Sequence, residues 1–309
     1  MRFDDQRESD NIDDQRGQRG GGGLGFGGGG GGGGILGFLL PMVMSRFGCG
    51  GVAVLVVLFM VFGGGLSSLG GLVGGGSGPS PQIGQPVEPA ATAAPGAARS
   101  ESSTDSFVRK VLGSTEDVWD KQFPAEVGKP YVPPRLVLFS GQTRSGCGAA
   151  ESAMGPFYCP ADGKVYLDES FFDELQQRFG AKGDAAAAYV IAHEIGHHIQ
   201  RQLGITDQVE AAQARASRSQ RNAISVRLEL QADCFAGVWA KQSGRLEAGD
   251  IEEAVGAAQA IGDDTLQRQS RGQVVPDSFT HGSSAQRVQW LQTGLQSGSM
   301  ASCDTFKGA

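Results

Sequence analysis

Hydrophobic patterning changes character four times along the 309 residues. Residues 1–34 carry no periodicity: a charged stretch (MRFDDQRESDNIDDQRGQR) runs into a glycine tract that can bury nothing, which predicts a disordered segment. From Phe47 to Leu66 no charge interrupts FGCGGVAVLVVLFMVFGGGL, about the length that spans roughly 30 Å of hydrocarbon. A single transmembrane helix is expected there, with 35–66 as the anchor region; a cleaved signal peptide or a buried core helix are the alternatives. Residues 67–104, rich in Gly, Pro, Ala and Ser, read as a linker.

Regular periods begin at about residue 105 and continue to residue 309. Phe107, Val111, Val118 and Phe123 recur at helical spacing. RLVLFS (135–140), FYC (157–159) and KVYL (164–167) read as strands, the last two joined into a hairpin by the turn PADG. The remainder is helical. Asp184 is placed as the N-cap of AAAAYVIAHEIGHHIQRQL, which Gly204 stops. A polar helix is expected around Gln208–Ser219, then RNAISVRLELQADCFAGVWAKQSG, then DIEEAVGAAQAIG with an Asp250/Glu253 capping box. Last comes SAQRVQWLQTGL. A small antiparallel sheet followed by helices, without strand–helix alternation, is an α+β domain.

Composition and charge then narrow the function classes. Fifty glycines lie mostly before residue 80 and confine the folded part to the later residues. A net charge of −7 offers no general attraction to phosphate backbones, so nucleic acid is not expected as a partner. Arg16, Arg19 and Arg46 precede the apolar span and no Lys or Arg comes after it until Arg99. The positive-inside rule therefore places the N-terminus in the cytoplasm and the domain outside. Cys147, Cys159, Cys234 and Cys303 form an even set compatible with two disulfides in an oxidising compartment. Pairing 147 with 159 closes a short loop and 234 with 303 staples the C-terminal tail, though the sequence leaves all three connectivities open.

The chemistry is concentrated in HEIGH. On a helix, His193 and His197 project from one face a turn apart, as two ligands of one zinc ion require, and Glu194 beside them can take a proton from the attacking water. The adjoining His198 also stands four residues from Glu194. That alternative pairing leaves no carboxylate as base, so His198 is read as a supporting residue behind the ligands or in the groove. A catalytic zinc needs a third protein ligand. Glu229 in ELQAD is the candidate, on a helix face of small residues (Ala232, Ala236) that allows close approach to the motif helix. Asp233, one turn on, could accept the N–H of a ligating histidine and fix its tautomer. His281, in the loop FTHGSS, is a candidate donor to a developing oxyanion or, alternatively, a helix-entry residue bonded locally. Arg287 could orient Glu229 or contact substrate, but is read as a surface residue.

These stretches, together with the N-terminal MRFDDQRESDNIDDQRG, the glycine tract, GCGAAESAMGPFYCPADGKVYLD and SFTHGSSAQR, resemble the neutral zinc metallopeptidase family of bacterial inner-membrane proteins (YpfJ-type) over almost the whole chain. H-E-x-x-H followed by E-x-x-A-D and a late T-H loop is more distantly similar to the gluzincins. The resemblance implies a zincin-like domain, Zn2+ as cofactor, Glu229 as third ligand, Asp233 behind a ligand and His281 at the substrate. The expected function is a membrane-anchored zinc metallopeptidase acting on a peptide or protein of the cell envelope, with KVYL or a neighbouring strand pairing with the substrate. The rival reading is a catalytically idle, zinc-stabilised envelope binding module.

Overall fold

The computed structural model describes residues 1–17, 103–177 and 180–307. A four-stranded sheet has the order β1-β2-β6-β5, in which β1 is Ile12–Asp14, β2 Arg135–Phe139, β5 Phe157–Cys159 and β6 Lys164–Asp168; β3 (Gln142–Ser145) and β4 (Gly148–Glu151) form a separate hairpin. Within the four-stranded sheet only β5–β6 is antiparallel, Tyr158 opposite Val165; β1–β2 and β2–β6 are parallel. The expected antiparallel sheet is thus corrected to a mixed one. Between β2 and β6 the chain spends its length on the β3–β4 hairpin and β5, and re-enters beside β2 in the same direction. Leu136 to Phe139 and Val165 to Asp168 are buried without alternation, as strands covered on both faces are.

The larger correction concerns the N-terminal residues. Residues 1–17, expected to be disordered, are folded onto the domain. Ile12, Asp13 and Asp14 pair with Leu136, Val137 and Leu138, so β1 supplies the sheet with an edge strand. Phe3 is buried and packs edge-on against Phe107 at 5.8 Å. Charge, which suggested solvation, here supplies partners. Arg7 pairs with Glu116 at 2.8 Å and Asp117 at 2.7 Å, and Ser9 and Asn11 both donate to Glu116. Arg16 is held by Asp14, Asp105 and Glu169. The Met1 amino group lies between Asp184 and Asp250, at 2.8 and 2.9 Å.

The helices are α1 (Ser103–Val127), α2 (Ser170–Gln177), α3 (Asp184–Gln202), α4 (Ile205–Gln213), α5 (Arg218–Ser243), α6 (Asp250–Ala260), α7 (Asp263–Arg271) and α8 (Ser284–Ser297). Helix α1 buries Val111, Leu112, Trp119 and Phe123, and Trp119 meets Phe235 of α5 edge-on at 6.1 Å. The polar helix expected at 208–219 is instead split, because Ser217 starts α5 with a Ser217/Gln220 capping box. Two other expected caps are not formed. Gly183 precedes α3, so Asp184 is its first residue, and Gly249 precedes α6. Glu253 does not cap its own helix; it reaches the Ala185 amide of α3 at 3.3 Å, stabilising the start of the neighbouring helix. Asp250 accepts from the Glu247 amide and the Met1 amine.

Disulfides join Cys147 to Cys159 and Cys234 to Cys303. The expected span at 47–66, with Cys49, the rest of the 35–66 anchor region and the 67–104 linker up to residue 102, lies outside the described residues. No helix among the described residues is long and apolar enough to cross a membrane. The hydrogen-bonded pairing of β1 with β2 holds residues 1–17 against residues 103–307. Single cysteines at the exposed positions Asp10 and Asp277 should therefore react alike with a membrane-impermeant thiol reagent on intact cells. Labelling at one position with protection of the other would contradict the pairing.

Candidate metal centre

The site forms where α3 crosses α5. Gly196, the fourth residue of HEIGH, has no side chain to hold the helices apart. A Cβ built there would stand 2.9 Å from the Ala232 carbonyl oxygen and 3.0 Å from its Cα. At that contact, α3 presents His193 and His197, α5 presents Glu229 and Asp233, and each stands a turn or less from the touching residues. Gly237 of α5 and Gly294 of α8 play the same part between those two helices, where a Cβ at Gly237 would meet the Leu291 carbonyl at 2.2 Å. Helix α8 thereby brings Arg287 inward.

One carboxylate faces both imidazoles. Glu229 Oε2 is 3.2 Å from His193 Nε2, and Glu229 Oε1 is 3.6 Å from His197 Nε2. Ligand atoms 2.0–2.2 Å from a tetrahedral zinc ion stand ~3.3–3.6 Å from one another, so the spacing suits that ion. One atom from each of the three side chains lies within 4.8 Å of the others. Both Nδ1 atoms face acceptors, Asp233 Oδ1 for His193 and Gln200 Oε1 for His197, each at 2.8 Å. Protons on Nδ1 leave the Nε2 lone pairs directed at the common centre. A second acidic group, Asp184, Asp250 and Glu253, is already neutralised in part by the Met1 amine.

Electrostatics agree with a cation at this centre. Burial alone would drive both imidazoles toward the neutral form, yet Asp233 and Glu229 hold His193 above its ordinary pKa, and Glu229 does the same for His197. Burial opposes ionisation of Glu229, but the two imidazoles outweigh it and keep the carboxyl well below its usual range. A metal ion would take the place of those protons. Glu194, 7% exposed, responds in the opposite sense: burial raises its pKa, and the imidazoles counteract this only in part. A carboxyl whose pKa is raised is a better proton acceptor than an ordinary glutamate.

Behind the ligands lies a buried ion pair that the sequence did not disclose. Arg287, expected at the surface, is 3% exposed. It donates from Nε to Asp233 Oδ2 at 2.9 Å and from Nη2 to Oδ1 at 2.8 Å. Tyr189 adds a hydroxyl donor to Asp233 Oδ1 at 2.6 Å. The signal for Arg287 in the sequence is slight: a cation one turn into the helix that follows the FTHGSS loop.

A cleft of about 350 Å3 opens onto these groups, lined among others by Phe157, Tyr158, Val190, His193, Glu194 and His281. His281 stands at its rim, half-exposed. Its loop is tied to Asp263, which accepts from the amides of Thr280, His281 and Gly282 at 2.7, 2.6 and 3.0 Å. Both features of the two readings of His281 are thus present, the cleft position and the local bonding. His198 turns from the cluster: Nε2 donates to the Val132 carbonyl at 2.7 Å and Nδ1 accepts from the Tyr158 hydroxyl at 3.1 Å. It ties the edge strand β5 to the motif helix. A larger groove of about 770 Å3, lined by Leu203, Ile224, Phe235 and Phe306 among others, contains none of these residues.

Two consequences can be measured. Gly196→Ala should destabilise the protein by about 1–3 kcal/mol through overpacking against Ala232, read by chemical denaturation. Arg287→Met should cost about 3–5 kcal/mol by leaving Asp233 buried without its partner, and the Arg287→Met/Asp233→Leu pair should recover much of that loss.

Comparison with known proteins returns one family. That described as "Putative neutral zinc metallopeptidase" matches residues 1–306. The "Uncharacterized protein YpfJ" of Escherichia coli (strain K12) is 47% identical over 309 residues, covering 99% of each chain. In Mycobacterium tuberculosis (strain H37Rv), the "Uncharacterized protein Rv2575" is 43% identical over 210 residues, 63% of this chain and 68% of its own. No solved structure matches the chain.

Proposed function

The chain belongs to the neutral zinc metallopeptidase family, and from that premise we propose that it hydrolyses peptide bonds at the α3–α5 crossing, with zinc held by His193, His197 and Glu229. The observation that carries this reading is the convergence of three ligand atoms within 4.8 Å of one another, beside a buried carboxylate, at the floor of a cleft. When bound, zinc supplies a Lewis acid that polarises the scissile carbonyl and acidifies water.

The protein's own groups do the rest. Glu194 takes the proton of the attacking water and returns it to the leaving amine. Asp233 and Gln200 hold the two imidazoles with Nε2 forward. His281, whose pKa is raised by its hydrogen bond with Asp263, donates to the oxygen that gains charge as the carbonyl is attacked. KVYL cannot take the substrate strand, because β6 lies between β2 and β5 and both its edges are used. The neighbouring β5 has an outer edge, and Phe157 and Tyr158 line the cleft. An extended peptide added along β5 would pass over Glu194.

Two disulfides suit an oxidising compartment, so the substrate is a peptide or protein outside the cytoplasm. Membrane attachment through the apolar stretch 35–66 is part of this proposal.

The purified full chain should carry about one zinc per molecule. Glu194→Gln should retain the metal and lose roughly 10²–10⁴-fold in peptide hydrolysis, the contribution expected of a general base. Glu229→Ala should lose metal as well. Hydrolysis by Glu194→Gln at the parent rate would refute the mechanism.

A further inference from the structure

The proton on His197 is dictated from a distance. His193 is oriented by a carboxylate, which can only accept, so its tautomer is set by direct contact. The partner of His197 is Gln200, whose amide offers an oxygen or a nitrogen according to which way it turns. Turned the wrong way, it would donate to Nδ1, move the imidazole proton to Nε2 and remove the lone pair a metal needs.

The surroundings of Gln200 fix that choice. Gln200 is fully buried, and its Nε2 donates to the Leu228 backbone carbonyl at 2.7 Å and to Gln231 Oε1 at 3.1 Å. Gln231, 5% exposed, donates in turn from Nε2 to the Cys303 backbone carbonyl at 2.9 Å. A backbone carbonyl can only accept. Cys303 therefore orients the Gln231 amide, which presents its oxygen to Gln200. Gln200, with acceptors at Leu228 and Gln231, must present its own oxygen to His197 Nδ1 at 2.8 Å. Flipping Gln200 would set its oxygen against two acceptors in a buried site and leave both without a donor. The terminal carbonyl is itself fixed, because Cys303 is tied to Cys234 of α5 by a disulfide.

We infer that Gln200 and Gln231 form a directional amide relay, anchored at the Leu228 and Cys303 carbonyls, that positions His197 with Nε2 free for a metal ion. Both are positioning residues; neither touches the metal. The relay rests on the proposed zinc site and adds the cause of the second ligand's orientation.

Zinc affinity, measured on the full chain by competition with a chromophoric chelator, tests the relay without reference to activity. Gln200→Leu should raise the zinc Kd by about 10–100-fold, the effect of losing an outer hydrogen-bond partner. Gln231→Leu should raise it less, and in the Gln200→Leu background should have no further effect, because the relay is then already broken. The cobalt-substituted visible spectrum should change in both single variants. If Gln200→Leu does not fold, Gln231→Leu, one amide further from the metal, reads the same relay. Parent-like Kd and cobalt spectra in folded variants, or effects of the two substitutions that simply add, would overturn it while leaving the zinc site standing. A parent chain that binds no zinc would instead remove the functional reading and the relay together.

Discussion

Everything at the site depends on one close contact between helices. His193 and His197 come from α3, Glu229 and Asp233 from α5, and these pairs meet only because Gly196 lies against Ala232. A helix pair separated by ordinary side chains sits roughly 8–10 Å apart; here the backbone of one helix nearly touches that of the other. The same device recurs at Gly237 and Gly294, so α5 is clasped on two sides and cannot shift to relieve strain on either. Ligand geometry is thus set by regular elements and needs no loop to hold it.

Close packing also makes the charges near the centre sustainable. Asp233 is fully buried, and an isolated carboxylate there would be costly. Arg287 and Tyr189 supply it with three hydrogen bonds before His193 is counted. The pair is neutral overall, so it can polarise the imidazole without adding net charge. His197 receives a neutral partner, Gln200, and the two imidazoles therefore differ in basicity. A buried network of this kind favours one arrangement because a half-satisfied one is worse than none.

What could be read from the residues was whatever depends on local spacing. His193 and His197 are four apart, and one helix is enough to place them on a face; Glu229 and Asp233 share a face for the same reason, and small neighbours announced a close crossing. Cys147 and Cys159 flank a short loop. Partners chosen across the chain were not legible. Nothing near Arg287 shows that α8 turns it inward, and Glu253, a good local cap, is drawn to another helix whose amides are closer. Strand direction failed likewise, since pairing of β2 with β6 is decided by where the intervening hairpin returns. Residues 1–17 were misjudged because their charges suggested solvation, whereas Glu116, Asp117, Asp105 and Glu169 wait to receive them.

The folding of residues 1–17 bears on how the protein meets a membrane. An apolar stretch and the arginines before it argued for one crossing with opposite sides for the two ends. The sheet has β1 and β2 in register, and hydrogen bonds between strands admit no bilayer. Arg16, one of the arginines counted for the cytoplasmic side, is paired to Asp105 and Glu169 of the domain, so its charge is spent on folding and is not free to orient a span. The N-terminal strand is thus a part of the domain by structure, although eighty-five residues of sequence, 18–102, divide it from the rest.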